Sequence, residues 1–230
     1  MPGNIYTKIN RPSKEIIDLF KEIPTGIASD AQGRSNTMHA EIKGLKRDWR
    51  ILGPAITVRC MAGNNLAIHQ ALYLAEPGDI IVVDGTGITT VSLWGTIMTE
   101  VARSRDLAGV VIDGSIRDFT ESVDLNFPIF CRGVTPRGPH KGWSDDINVP
   151  ISCGGVPVHP GDIILGDGDG VVVIPKGMAK DISEKAERQM KKEKAWLEEI
   201  RKGKTTLEAI GLQKNVDWLG VNKHEQAYDD

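Results

Sequence analysis

Cysteine is scarce: 3 in 230 residues, at Cys60, Cys131 and Cys153, with no C-x-x-C pair. That count excludes a disulfide framework and a cysteine-rich zinc site, and it suits a reducing compartment. No sign of charge dominates. Lys and Arg total 28 against 31 Asp and Glu, a net charge of −3, which excludes a strongly basic nucleic-acid binder. No apolar run reaches about 18 residues, so no membrane span is indicated. Met1 to Asn10 carries no apolar core of a signal peptide. These absences predict a cytoplasmic chain that partners neither nucleic acid nor membrane. Aromatic residues make up only 5% of the chain, whereas glycine is plentiful at 25. Glycine in that number implies tight turns or backbone brought close to a ligand. With 40% hydrophobic residues the chain can bury a real core, and its length corresponds to one large domain or two small ones at roughly 150 residues each.

The apolar pattern alternates between strand and helix. Pro12-Ser13 opens a helix carrying Ile16, Leu19, Phe20 and Ile23, which Pro24 ends. Thr25 to His39 reads as polar and turn-rich. Gly53 to Cys60 reads as a strand, Leu66 to Ala75 as an amphipathic helix, and Ile80-Ile81-Val82-Val83 as a strand buried on both faces. Helical spacing resumes from Ser92 through Trp94, Ile97, Met98 and Val101, and Ala108 to Ile112 is the next buried strand. This succession predicts an α/β fold with parallel pairing. From Phe119 to Pro160 the chain has many Pro and Gly and no long helix, with short strands at Ile129-Phe130 and Val156-Val158. Pro160-Gly161-Asp162-Ile163-Ile164 echoes Pro77-Gly78-Asp79-Ile80-Ile81, two turn–strand units rather than proof of a repeat. Gly170 to Pro175 is a further strand, hairpinned through Asp169-Gly170. A long helix from about Met178 to Lys202, ended by Gly203, carries an apolar stripe of Ile182, Ala186, Met190, Leu197 and Ile200, with the carboxylate of Glu193 on that same face. The organisation expected is therefore a single α/β domain over residues 1–177 and a C-terminal helix and tail over 178–230 that docks on a neighbouring subunit.

Several familiar catalytic signatures are missing. There is no GxGxxG, P-loop, GxSxG or HExxH, and His39, His140, His159 and His224 form no metal-spaced cluster. Asp167-Gly168-Asp169-Gly170 is followed at once by Val171-Val172-Val173, which suits a hairpin and not a calcium loop. His69, inside an amphipathic helix, reads as a packed or partly exposed histidine rather than a ligand. The strongest local feature is Val110-Val111-Ile112-Asp113-Gly114-Ser115-Ile116-Arg117-Asp118. A buried strand there delivers an adjacent Arg and Asp to the carboxyl end of a sheet, where α/β folds bind ligands. Arg117 offers a planar fork for a carboxylate, and Asp118 is a hard oxygen ligand suited to Mg²⁺. The bland alternative is an Arg–Asp pair that caps a turn. Glycines between strand and helix, and the segment Gly95 to Met98, present backbone N–H groups suited to a small anion.

The strings GPAITV, NNLAIHQAL, PGDIIVVDG, GVVIDGSIRD and PVHPGDIILGDGDGVVVIP, with the charged C-terminal helix, resemble the RraA-like family. That family includes class II 4-hydroxy-4-methyl-2-oxoglutarate/4-carboxy-4-hydroxy-2-oxoadipate aldolases and the ribonuclease E regulator RraA. The resemblance implies a swivelling β/β/α fold and a homotrimer or homohexamer with active sites at subunit interfaces. It also implies a divalent metal, Mg²⁺ or Mn²⁺, held through Asp118. Arg117 would bind the pyruvyl part of a 2-oxo acid and stabilise its enolate, and the backbone of Gly95, Thr96, Ile97 and Met98 would hold the carboxylate. Glu193, from a neighbour's helix, would join the metal's water shell.

Two departures bear on chemistry. Where the aldolases carry an acid that holds the proton-transfer water, this chain has Thr96, whose hydroxyl has an unsuitable pKa for a general base. Glu100, one helical turn on, is a candidate substitute. Asn64 stands where the family usually has Asp. The reading is thus a metal-dependent lyase on a 2-oxo acid, by retro-aldol cleavage or oxaloacetate-type decarboxylation. The alternatives are a non-catalytic RraA-type binding protein and a related enzyme of altered chemistry.

Overall fold

The computed structural model describes residues 3–143, 145–222 and 224. The described chain divides into two compact units at Ala186/Glu187. In order, the first part contains α1 (Lys14–Asp18), α2 (Thr25–Ala31), β1 (Lys43–Gly44), β2 (Ile51–Arg59), α3 (Leu66–Leu74), β3 (Ile80–Asp84), β4 (Ser92–Trp94), α4 (Thr96–Ser104), β5 (Gly109–Ile116) and α5 (Phe119–Asp124). There follow β6 (Ile129–Val134), β7 (Asp146–Ile147), β8 (Ile151–Cys153), β9 (Val156–Val158), β10 (Ile163–Asp167), β11 (Gly170–Ile174), α6 (Ala179–Arg201), α7 (Thr206–Ile210) and α8 (Gln213–Trp218).

The apolar runs become the centre of one sheet ordered β1-β6-β5-β3-β2-β10-β11. Its middle is parallel: β2 with β3, β3 with β5, and β5 with β6. Strands covered on both faces read as continuous apolar sequence, and Ile80 to Val83 and Val110 to Ile112 are fully buried here. β10 then pairs antiparallel with β2, and β11 with β10. The outer strands meet where Lys43 Nζ donates to the Asp169 carbonyl, so the sheet nearly closes on itself. This is the α/β architecture with a long C-terminal helix that the sequence predicts.

The two Pro-Gly-Asp strings adopt one geometry. Asp79 Oδ2 accepts from the Glu76 amide at 2.7 Å, and Asp162 Oδ2 from the His159 amide at 2.9 Å, each closing a four-residue turn. Gly78 and Gly161 sit at φ +89° and +85°, the left-handed region that favours glycine. The strands they launch flank β2 on either side, with Ile80 opposite Ala55 and Ile163 opposite Pro54. Asp79 is also gripped by both arms of the Arg11 guanidinium, at 2.9 and 2.7 Å, and its side chain is 1% exposed. Removing one partner of such a pair leaves the other charge uncompensated. Asp79→Ala is therefore expected to destabilise the fold by about 3 kcal/mol. Urea unfolding would show this as a lower midpoint at unchanged slope; a midpoint equal to wild type would contradict it.

Three local expectations change. Ser92 to Trp94 is a strand, not the start of a helix. Thr25 to Ala31 is helical, held in place because the Thr25 amide and hydroxyl both donate to Asp167, at 2.9 and 2.6 Å. The final hairpin turns through Gly168-Asp169, since Asp167 pairs with Gly170. In the second unit, Thr205 and Glu208 form a capping box at α7, and Gly211 ends that helix in the left-handed conformation. Glu199 accepts from Lys202 at 2.8 Å and also from Lys204. Those lysines pull its carboxyl pKa down to about 2.

Candidate active site

The site grows from the carboxyl end of β5. All eight residues of that strand are buried, and the chain then turns outward at Arg117 and Asp118. β4 zips onto this end in parallel, with Ser92 opposite Ser115 and Trp94 opposite Ile116. The Arg117 amide donates to the Trp94 carbonyl at 3.0 Å. Three residues of strand thus place the amino end of α4 beside the Arg-Asp turn. A cavity of about 110 Å³ opens there, lined by Asn65 and His69 of α3, Trp94, Gly95, Ile97 and Met98 around the start of α4, Arg117, Asp118, Pro139 and Lys141. A single water needs roughly 10–15 Å³ of cavity space, so a ligand of a few heavy atoms fits.

Asp118 departs from local rules. It has φ +57° and ψ +49°, and it occupies the N-cap position of α5 without making a side-chain cap. Aspartate at an N-cap normally bonds its own helix, and a non-glycine residue held in the left-handed region often marks a functional site. Here the carboxylate turns back across the cavity. Its Oδ2 accepts from the Thr96 amide at 3.1 Å and lies 3.6 Å from Arg117 Nε. The carboxylate thus leaves α5 uncapped and instead accepts from the first amide of α4. Gly95 makes the approach possible: a Cβ there would lie 2.6 Å from Asp118 Oδ2 and 3.2 Å from Arg117 Cγ. Its φ of −167° is ordinary extended backbone, so the glycine is needed for space. Gly95→Ala is expected to displace the carboxylate and cut turnover by about 100-fold with little change in melting temperature. A variant as active as wild type would remove Gly95 from the site.

The other expected residues separate. Gly95, Ile97, Met98, Arg117 and Asp118 come together at the cavity. Thr96 contributes its amide; its hydroxyl is buried, has no partner among the described residues, and does not line the cavity. Glu100 is turned toward Arg103, 3.2 Å away, and stands outside the cavity, so it is no substitute acid. Asn64 also points elsewhere, donating to Asp145 and to the Trp143 carbonyl at 3.1 Å. Glu193 belongs to the second unit, where its Oε1 accepts from Gln189 at 2.9 Å. Within GVVIDGSIRD, Asp113 is structural: it accepts from Arg132 and from the Gly154 amide at 2.7 Å. All three cysteines are free and buried, and burial raises the Cys131 thiol to about 12, so no thiolate nucleophile is on hand.

Asn65, His69, Pro139 and Lys141 join the site without having been singled out for it. Asn65, the N-cap residue of α3, and His69 within it are four positions apart, about one helical turn. Asn65 Oδ1 is buried with no partner among the described residues, while its Nδ2 donates to the Leu93 carbonyl at 3.0 Å. Burial, and secondarily the charge of Lys141, hold the His69 pKa below the ordinary imidazole value. Among the described residues no cluster of three or more His, Cys, Asp or Glu is arranged around a metal position. One exposed carboxylate with an orphaned amide oxygen nearby fits a hard cation that keeps most of its water, as Mg²⁺ does.

Comparison with known proteins identifies the family and the fold. Residues 15–173 match the RraA-like family, Aldolase/RraA. A Halalkalibacterium halodurans protein named "Putative 4-hydroxy-4-methyl-2-oxoglutarate aldolase" is 45% identical over 181 residues, covering 79% of this chain and 86% of that one. The crystal structure of an uncharacterized Pseudomonas syringae protein superposes with a TM-score of 0.77 at 26% identity, over 88% of this chain and 95% of that one. Streptomyces coelicolor RraAS2, described as an unusual member of the RNase ES inhibitor RraA family, gives a TM-score of 0.72 at 26% identity, over 83% and 100%.

Proposed function

This chain belongs to the RraA-like family, Aldolase/RraA, and on that premise we propose that it is a divalent-metal-dependent lyase acting on a 2-oxo acid. The observation that carries the reading is Asp118, an N-cap aspartate that leaves its helix uncapped and faces a cavity beside Arg117. The name of the 45%-identical relative supports an aldolase-type cleavage.

Asp118 would hold Mg²⁺ or Mn²⁺, with waters and substrate oxygens completing the shell. Such an ion supplies Lewis-acid polarisation of the 2-oxo group. The Ile97 amide, which has no hydrogen-bond partner among the described residues, and the Thr96 amide, once Asp118 turns to a cation, suit the substrate carboxylate. The Arg117 fork faces the oxygen that gains charge as the carbon–carbon bond breaks, and so lowers the energy of the enolate. Lys141 supplies a second cation in the same cavity, which favours a substrate with two carboxylates. 4-Hydroxy-4-methyl-2-oxoglutarate and oxaloacetate both have that form, and both leave pyruvate.

A homo-oligomer, trimer or hexamer, completes the reading. Ile97 at the cavity is 75% exposed, and Phe119 and Val134 near it are also exposed; a second copy would cover this apolar rim and bring Glu193 of its C-terminal unit to the metal's waters. No helix among the described residues is long and apolar enough to cross a membrane. The test is pyruvate release from a panel of 2-oxo acids with Mg²⁺, with Mn²⁺ and with EDTA. Release that needs the metal is expected. No metal-dependent release from any of them would favour the second reading, a binding protein of the RraA type, which Thr96 in place of an acid and the likeness to RraAS2 both favour.

A further inference from the structure

Resting on the lyase reading, we propose that His69 is the proton-transfer group of this site, in the role that an acid at position 96 would otherwise serve. Thr96 presents no side-chain atom to the cavity. Of the other side chains that line it, the guanidinium of Arg117 and the ammonium of Lys141 are hydrogen-bond donors with no acceptor atom. Asp118 is committed to the Thr96 amide or to a cation. His69 is left, with a ring that makes no hydrogen bond to the described residues.

The helix behind it is firmly placed. Ala67, Ile68, Ala71 and Leu72 of α3 are buried, and the His69 amide donates to the Asn65 carbonyl at 3.3 Å. The helix therefore places His69 at the wall of a cavity of about 110 Å³, where a substrate that fills the space meets it. Lys141, Arg117 and Asp118 are the charged groups that face it across the cavity. Burial and the lysine charge favour the neutral imidazole, the form that can take a proton.

The step balances without a co-reactant. With a 4-hydroxy-2-oxo acid, His69 takes the proton of the C4 hydroxyl as the C3–C4 bond breaks. The hydroxyl carbon leaves as a carbonyl, and the bonding pair becomes the enolate of pyruvate beside Arg117. The imidazolium then returns the proton to C3, giving pyruvate and the neutral ring.

The experiment is His69→Ala in the full chain, with two readouts. Retro-aldol turnover of 4-hydroxy-4-methyl-2-oxoglutarate with Mg²⁺ is expected to fall by about 100-fold or more, and added imidazole to restore about tenfold of it. Calorimetric binding of oxalate with Mg²⁺, a planar stand-in for the enolate, is expected to stay within about threefold of wild type, since the group moves a proton rather than holding the acid. Turnover in His69→Ala within about threefold of wild type would overturn the proposal while leaving the lyase reading in place. Loss of oxalate binding in step with turnover would make His69 a binding group and overturn it also. A wild-type protein that neither binds oxalate nor releases pyruvate would sink the lyase reading itself.

Discussion

Asp118→Asn is expected to lose metal-dependent turnover by about 1,000-fold or more while the protein stays folded. On the proposed reading, several kcal/mol of Lewis-acid stabilisation would depend on that one carboxylate, and each 1.36 kcal/mol is tenfold in rate. Asparagine isolates the charge. It tolerates the left-handed conformation at φ +57° nearly as well as aspartate, whereas alanine there would add about 1–2 kcal/mol of backbone strain. Because Asp118 makes no cap to α5, thermal unfolding should change little. Raising the Mg²⁺ concentration should recover part of the activity if the lesion lies in metal affinity. Asp118→Asn turning over at the wild-type rate would show that the cation, if used at all, is held elsewhere.

Arg117 carries the second large effect. Arg117→Ala is expected to lower kcat by about 10²–10³-fold, the usual cost of one preorganised donor at a developing oxyanion. Arg117→Lys should recover only part of this, because an ammonium keeps the charge but loses the planar fork. The side chain is 43% exposed and, among the described residues, ion-paired only with Asp118 at 3.6 Å, so the loss should come without unfolding. If the lysine variant matches wild type, the arginine is a general attraction for anions and not a placed donor.

The buried parallel strands and the Arg117-Asp118 turn were readable in advance because each is written locally. Val110 to Ile112 is apolar throughout, as a strand covered on both faces must be, and the charged pair Arg117-Asp118 marks where the buried run ends. β4 was hidden for the opposite reason. Three residues long, it is a strand only because the end of β5 pairs with it, while Trp94 falls in step with the true helical spacing of Ile97, Met98 and Val101 in α4. Lys141 lies 24 positions beyond Arg117, and no local pattern ties such a loop residue to the site. His69 showed one half of its nature, a partly buried helix residue, but the cavity that gives it a role is made by β4 and the Arg117 turn. Thr96 was legible as a missing acid, yet that its hydroxyl turns away is a matter of packing.

The central claim is that a divalent cation and a 2-oxo acid meet in the cavity between Asp118, Arg117 and the start of α4. A crystal structure of the protein with Mn²⁺ and oxalate tests it most directly, because the metal can be located by anomalous scattering. The expected result is an anomalous peak at about 2.1 Å from an Asp118 carboxylate oxygen, with oxalate bridging that ion, the Arg117 guanidinium and the Ile97 amide. A Mn²⁺ peak away from Asp118, or oxalate bound outside this cavity, would contradict it.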